Sequence, residues 1–284
     1  MNTVALPDGT LLPALGLGTW HMGEAAARRT DDVAAVRCAI DIGYRVIDTA
    51  EMYADGGAEQ VVGQGVAQAL RAGAVTREQL FIVSKVTPHN ASRAGMAAAC
   101  ERSRKRLMLD HIDLYLLHWP GPHPLRETVA AFEALQADGH IRHWGVSNFD
   151  TDDLRELTAL PGGARCAANQ VYHSLSTRGA EFDLLPWQRQ KQMPLMAYCP
   201  LDQGDLAADA TLCGVAERSG VTASQVALAW STAQPGVMAI PKTGRETHLR
   251  ENFAAAGLVL GAADLAEIEA HFPAPRRKRP LAMR

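Results

Sequence analysis

The sequence has no Cys-x-x-Cys pair, no membrane-length apolar run, no strong excess of one charge and no complete dinucleotide-binding glycine fingerprint. Each absence removes a class of protein. The five cysteines (Cys38, Cys100, Cys166, Cys199 and Cys213) are odd in number and widely scattered, so they read as reduced, mostly buried thiols rather than a disulfide framework. Cys38 reads as a core residue of an amphipathic helix. No stretch approaches the roughly 20 apolar residues of a membrane span. Met1 to Pro7 lacks the basic start and apolar run of a secretory signal. The expectation is a cytoplasmic protein with no membrane partner. A net charge of −3 gives no reason to expect nucleic acid. Gly16-Leu17-Gly18 lacks the third glycine of a doubly wound dinucleotide fold, and no helix follows at once. There is no internal repeat, low-complexity segment or composition break, so residues 1–284 read as one domain.

What is present is ordinary globular composition, 47% apolar and 21% charged, with a regular alternation of strand and helix signals. Val4-Ala5-Leu6, a Pro7-Asp8-Gly9 turn and Leu11-Leu12 predict an N-terminal β-hairpin. Strands are then expected at Leu15–Thr19, Val46–Asp48, Leu80–Lys85, Ile112–His118, Ile141–Ser147, Cys166–Val171, Pro194–Tyr198 and Gly236–Pro241. Helices fall between them, the first capped by Thr30 and the last ending at His271. Eight strands alternating with helices predict an α/β chain folded as a (β/α)8 barrel of the TIM type, with a hairpin before it and a short C-terminal tail after it. The basic tail residues Arg276, Arg277, Lys278 and Arg279 read as a solvated, frayed end.

One stretch concentrates the chemistry. Val46-Ile47 ends in the carboxylate of Asp48, and Tyr53 follows in a glycine-rich loop. Taken alone, this is either a helix cap and a surface aromatic or a barrel strand end presenting reactive groups. The other strand ends decide between them. Asp48, Lys85, His118, Asn148, Gln170, Tyr198 and Lys242 each stand at or just past the end of an apolar strand, and those ends meet on one rim of a barrel. A lysine ammonium stabilises a phenolate and lowers the pKa of a tyrosine beside it. A buried lysine needs a counter-ion, which Asp48 can supply, and a histidine can orient a carbonyl. The set suits protonation of a carbonyl oxygen. No side chain is a hydride donor, so a cofactor must be one. Metal chemistry is not favoured, because Trp119-Pro120-Gly121-Pro122 separates His118 from His123 and keeps them off one helix face. Glu51 reads as either an acid supporting the site or a solvated residue, with solvation favoured, Trp144 as barrel packing and Asp113 as a structural partner of a helix dipole or a basic residue.

The sequence resembles the aldo-keto reductases. The matching motifs run in the family's order along nearly the whole chain. They are Gly16-Leu17-Gly18-Thr19-Trp20, Ile47-Asp48-Thr49-Ala50-Glu51-Met52-Tyr53, Val83-Ser84-Lys85, Asp113 to Trp119, Trp144 to Phe149, Asn169-Gln170-Val171, Ala197 to Leu201, and Ile240-Pro241-Lys242-Thr243. Ala50 to Glu59 and Leu184 to Trp187 are similar to the bacterial branch that includes methylglyoxal reductases. The resemblance implies an NADPH-dependent, monomeric reductase of small aldehydes and ketones. It implies Tyr53 as general acid, Asp48 and Lys85 as its tuners, and His118 as the carbonyl-orienting donor. Ser147, Asn148 and Gln170 would hold the nicotinamide carboxamide, and Tyr198 would stack on its face. Lys242 and Thr243 would bind the adenosine 2′-phosphate, with Asn252 near the adenine and Thr19, Asp48, Leu201 and His248 also at the cofactor. Trp20 and Trp119 would wall the substrate pocket, together with Tyr53 and His118.

Two departures stand out. His248 occupies a position where many family members carry an arginine, and neutral histidine is a weaker phosphate partner. Arg245 or Arg250 is a candidate to compensate, and NADH is a weaker alternative cofactor. Cys199 replaces a common serine, and a thiol is a weak donor. After the last helix only Phe272 to Arg284 remain, too short for the long loop of steroid-binding members, which points to small or varied substrates. The competing function on the same barrel is a cofactor-binding regulatory protein with little turnover.

Overall fold

The structure is a computed structural model that describes residues 1–283; Arg284, the end of the expected tail, lies outside the described residues. Strands β1 (Thr3–Ala5) and β2 (Leu11–Pro13) pair antiparallel with Val4 opposite Leu12. Gly9 closes their turn at φ +88°, a conformation that glycine adopts without steric cost. Val4, Leu6 and Leu12 pack into one cluster with Val46, Phe81, Leu114, Met196 and Met238. The hairpin therefore plugs one end of the sheet that follows.

That sheet holds β3 (Leu17–Gly18), β4 (Val46–Asp48), β5 (Phe81–Val86), β6 (Ile112–Leu117), β7 (Ile141–Ser147), β8 (Asn169–Tyr172), β9 (Leu195–Tyr198) and β10 (Val237–Ala239), each beside the next in chain order. All the pairings are parallel. Parallel bridges Leu15–Ala239 and Gly18–Lys242 join the first strand to the last and close a (β/α)8 barrel. A Cβ on Gly18 would stand 2.8 Å from the Ile240 carbonyl oxygen. The glycine pair read against a dinucleotide fingerprint is thus a barrel seam.

Helices α1 (Arg29–Ile42), α2 (Gly57–Arg71), α3 (Arg93–Leu107), α4 (Leu125–Ala137), α5 (Thr151–Ala159), α6 (Leu184–Gln190), α7 (Ala210–Ser219), α8 (Ala223–Ala233), α9 (Glu246–Ala255) and α10 (Ala262–His271) surround the sheet. None is long and apolar enough to cross a membrane. The helices fall between and after the strands as expected, and the last ends at His271. The exception in kind is the start of α1, where Arg28 occupies the cap position without a side-chain bond and Thr30 falls inside the first turn. Trp144 packs as expected, stacked on Phe132 at 5.2 Å. Asp113 accepts from the Ile82 amide at 2.8 Å and from Arg77 at 2.7 Å, so a buried carboxylate ties β6 to β5.

Three expectations change. Cys100 and Cys166 are buried, but Cys38 is only half-buried at the margin of the core and Cys213 is exposed. The tail is not frayed. Lys278 reaches Asp150 at 3.3 Å and Asp183 at 3.1 Å, and Leu281 packs against the outer core. Glu51 is not solvated, as described below.

A second ionic cluster anchors the loop after β8. Glu181 accepts from His173 and Arg178, and Arg178 also holds Glu269 on α10. Burial raises the Glu181 pKa, but these hydrogen bonds overcome it and bring the value down from 4.5 to about 2. A carboxylate depressed in the folded state stabilises fully above its unfolded pKa and loses that contribution as pH falls through the folded one. Urea denaturation at stepped pH is expected to show Glu181→Gln less stable than wild type at neutral pH by up to about 3 kcal/mol. The gap should close as pH falls from 4.5 towards 2.

Candidate active site

The carboxyl end of β4 delivers Asp48 into the barrel mouth with every oxygen engaged. Oδ2 accepts from Lys85 at 2.7 Å, Oδ1 accepts from Gln170 Nε2 at 2.8 Å, and the backbone oxygen accepts from Thr19 Oγ1 at 2.9 Å. Asp48 therefore caps no helix. Lys85 is fully buried at the end of β5. Its ammonium has three donors, and they go to Asp48, to the Thr49 carbonyl at 2.9 Å and to the Tyr53 oxygen at 3.2 Å. Burial would strip its proton, but attraction to Asp48 and Tyr53 prevails and raises its pKa. The group is a cation.

Tyr53 is held over Lys85 by a strained turn. Ala54, Asp55 and Gly56 have successive φ values of +51°, +51° and +84°. Left-handed non-glycine residues cost free energy that the surroundings must hold in place. Gly56 resists replacement because its φ of +84° is strained for any side chain, and a Cβ there would also displace the Arg106 guanidinium, 2.3 Å away. That arginine bonds Glu59, which also accepts from Ser84 next to Lys85. The same support includes Glu51, which is buried and accepts from the Thr87 amide and hydroxyl, Asn90 and Arg102. The expected downward pull of Lys85 on the phenol is present, but burial outweighs it and the Tyr53 pKa is raised. The phenol keeps its proton through neutral pH.

His118, just past β6, lies edge-on to the Tyr53 ring at a centroid distance of 5.7 Å. Burial, reinforced by the Lys85 charge, drives its pKa well below the usual histidine range, so the ring is neutral with one N–H. Its Nδ1 is buried with no hydrogen-bond partner. Trp119 packs beside it at 4.9 Å, and Trp20 stacks on His21 at 4.0 Å.

The remaining strand ends join the same network. Asn148, at φ +61°, donates through Nδ2 to the His118 carbonyl at 3.0 Å and accepts from the Tyr198 hydroxyl at 3.0 Å. Ser147 donates to the Gln170 carbonyl at 2.8 Å. Tyr198 stacks on Tyr172 at 5.7 Å. Leu201 is half-buried after β9, beyond Cys199, which turns at φ +49°. Lys242 bridges Gly18 across the seam and is exposed, Thr243 after it is buried, and on α9 His248 is exposed and Asn252 buried; no side-chain hydrogen bond among the described residues ties the four to one another or to the cluster above. The structure thus gathers Asp48, Tyr53, Lys85, His118, Ser147, Asn148, Gln170 and Tyr198 into one hydrogen-bonded cluster and holds the Lys242 group apart from it.

Comparison with known proteins places this geometry. The sequence model described as "Aldo/keto reductase family" matches residues 14–272. The chain belongs to the aldo/keto reductase family. Methylglyoxal reductase YeaE of Escherichia coli (strain K12) is 49% identical over 96% of this chain and 95% of its own. Glyoxal reductase of Bacillus subtilis (strain 168) is 36% identical over 95% and 92%. A Klebsiella pneumoniae aldo/keto reductase crystallised with NADP and acetate superposes with a TM-score of 0.94 at 49% identity, covering 99% of each chain. The fold and family that the motifs imply are both borne out, and this reductase is an oxidoreductase.

Two features of its site were not readable from residue order. The Glu51 network needs α3 and the loop after β5 to be folded beside it. Arg250, a candidate replacement for the missing arginine, is committed to Glu246 at 2.7 Å.

Proposed function

We propose that this NADP-dependent oxidoreductase reduces small aldehydes and ketones, with Tyr53 delivering the proton to the carbonyl oxygen. One observation carries this reading. Lys85 donates to the Tyr53 oxygen, so the hydrogen on that oxygen is directed elsewhere. A protonated phenol whose lone pair is occupied by an ammonium is a donor aimed at a ligand. As negative charge grows on Tyr53, the same ammonium stabilises it and Asp48 keeps the ammonium in place. The neutral His118 ring offers a second donor to the same carbonyl oxygen.

The residues present suit a nicotinamide cofactor. Gln170 spends its amide nitrogen on Asp48, and no described residue donates to its amide oxygen, which is free to take a carboxamide N–H. Asn148, Ser147 and Gln170 would hold that group, with the Tyr198 ring against the nicotinamide. When bound, NADPH supplies the hydride that no side chain here can give. The chain's own part is to orient the carbonyl, exclude water and move one proton from Tyr53.

The substrate class rests on the similarity to proteins named methylglyoxal reductase and glyoxal reductase. Small dicarbonyls such as methylglyoxal and aromatic aldehydes are the substrates this mouth favours. Steady-state kcat/KM across methylglyoxal, 4-nitrobenzaldehyde and a bulky steroid ketone tests this. The expected order puts the small aldehydes at least about tenfold above the steroid. The reverse order would reject the substrate class.

A further inference from the structure

The loop between β3 and α1 carries a basic residue to the Lys242 group. Met22, fully buried, anchors the loop, and its amide donates to the Thr19 carbonyl at 2.9 Å. The Gly23 amide donates to Asp32 Oδ2 at 2.9 Å. Gly23 is at φ +77°, and a Cβ there would stand 2.7 Å from the Gly57 backbone, so the loop is pressed tightly against the start of α2. A short 3-10 helix, Ala26–Arg28, then brings the Arg28 side chain across the seam. Its Nη2 lies 3.7 Å from where a Cβ on Gly244 would stand, and Asp32 Oδ1 lies at the same distance.

Charge at this point is mixed. Among the described residues, neither the Arg28 guanidinium nor the Lys242 ammonium has a hydrogen bond or an ion pair. Two carboxylates lie within electrostatic range of Lys242, those of Asp32 and Glu24. Asp32 gives Oδ2 to the Gly23 amide but keeps its charge, with Oδ1 facing Gly244, and Glu24 pairs with His21 at 2.6 Å. Burial lowers the Lys242 pKa, and repulsion from Arg28 adds to it against the pull of Asp32. Thr243 accepts from the Arg245 amide at 3.2 Å, which leaves its hydroxyl proton available. Arg28 thus reaches the backbone just after Lys242 and Thr243, where two cations without bonded partners and a hydroxyl donor lie close to the Asp32 carboxylate, and a bound dianion would gain both cations.

We infer that Arg28 grips the adenosine 2′-phosphate of NADPH together with Lys242 and Thr243, and so replaces the arginine absent at His248. This rests on the reading of Lys242 and Thr243 as the phosphate site. A guanidinium presents paired donors to phosphate oxygens where neutral histidine offers one. Arg250 is held by Glu246, and Arg245 is not among the charges that act on Lys242. The preference for NADPH over NADH then depends on the loop that also carries Trp20 together with Lys242 and Thr243, and not on α9.

Cofactor dissociation constants, measured by quenching of tryptophan fluorescence, test this without turnover. Arg28→Ala is expected to raise the NADPH Kd about 10- to 100-fold and leave NADH within about twofold. Competition by 2′,5′-ADP should weaken in parallel while competition by 5′-ADP does not. Arg28→Lys should fall between, and His248→Arg added to Arg28→Ala should recover NADPH binding. Arg28 is exposed, so its removal leaves the core intact. An unchanged NADPH Kd, an equal loss for both cofactors, or a selective loss in Arg245→Ala in place of Arg28→Ala would overturn the inference. Lys242→Ala separates the two levels. If it weakens NADPH selectively and Arg28→Ala does not, the phosphate site stands and Arg28 is not part of it. If neither variant discriminates, the phosphate site itself is misplaced.

Discussion

Lys85→Met is expected to abolish most turnover and to destabilise the fold by about 3–5 kcal/mol. The side chain that replaces it is apolar and of similar length, so the loss is not one of volume. It is one of charge. Asp48 is buried with one oxygen on Lys85 and the other on Gln170. Without the ammonium, its carboxylate is left in a low-dielectric barrel mouth with an amide as its only side-chain partner. Breaking a buried pair by removing one member costs far more than the pair is worth against an apolar substitute. The Thr49 carbonyl and the Tyr53 oxygen lose a donor as well. Asp48→Asn in the same background should restore part of the stability, because the uncompensated charge is gone. It should not restore turnover, since burial alone then governs the Tyr53 phenol and nothing stabilises the charge that proton transfer leaves on it. Denaturant titration with an unchanged slope and a lower midpoint is the expected signature. Wild-type stability in Lys85→Met would mean that Asp48 is not held as a charge.

The barrel was largely legible because its strands are short apolar runs bounded by turn residues, and that period survives in residue order. The polar strand ends were legible for the same reason. A charged or amide residue closing a run of Val, Ile and Leu is conspicuous, and parallel topology sends all such ends to one rim. What sequence could not give was the outcome of competing terms. Lys85 does pull the Tyr53 pKa down, yet burial pushes it up further, and burial is a property of the folded mouth. Solvation is the favoured sequence reading of Glu51, but Thr87, Asn90 and Arg102 reach it from other elements, which residue order does not show. Arg28 left no sequence signal at all. A loop arginine is an ordinary surface residue until the seam between β3 and β10 brings Gly244 beneath it. The tail was misread because composition reports its charge and not the Asp150–Asp183 surface that receives it.

Tyr53→Phe isolates the proposed proton donor. The substitution removes one oxygen from a half-buried ring whose edge contact with His118 and position over Lys85 depend on ring shape. Lys85 keeps Asp48 and the Thr49 carbonyl, so the ion pair and the fold survive. Nothing else in the cluster is placed to take over. The variant frees the Lys85 donor that Tyr53 accepted, but attraction to Asp48 holds that proton on the ammonium, and His118 has a single N–H, assigned above to orienting the carbonyl. Loss of a positioned general acid costs about 10²- to 10⁴-fold. The decisive measurement is kcat for methylglyoxal and Kd for NADPH on one preparation of Tyr53→Phe. The account predicts an NADPH Kd within about twofold of wild type and a kcat lower by at least about 10²-fold. A variant that binds NADPH normally and keeps most of its kcat would show that the proton comes from elsewhere.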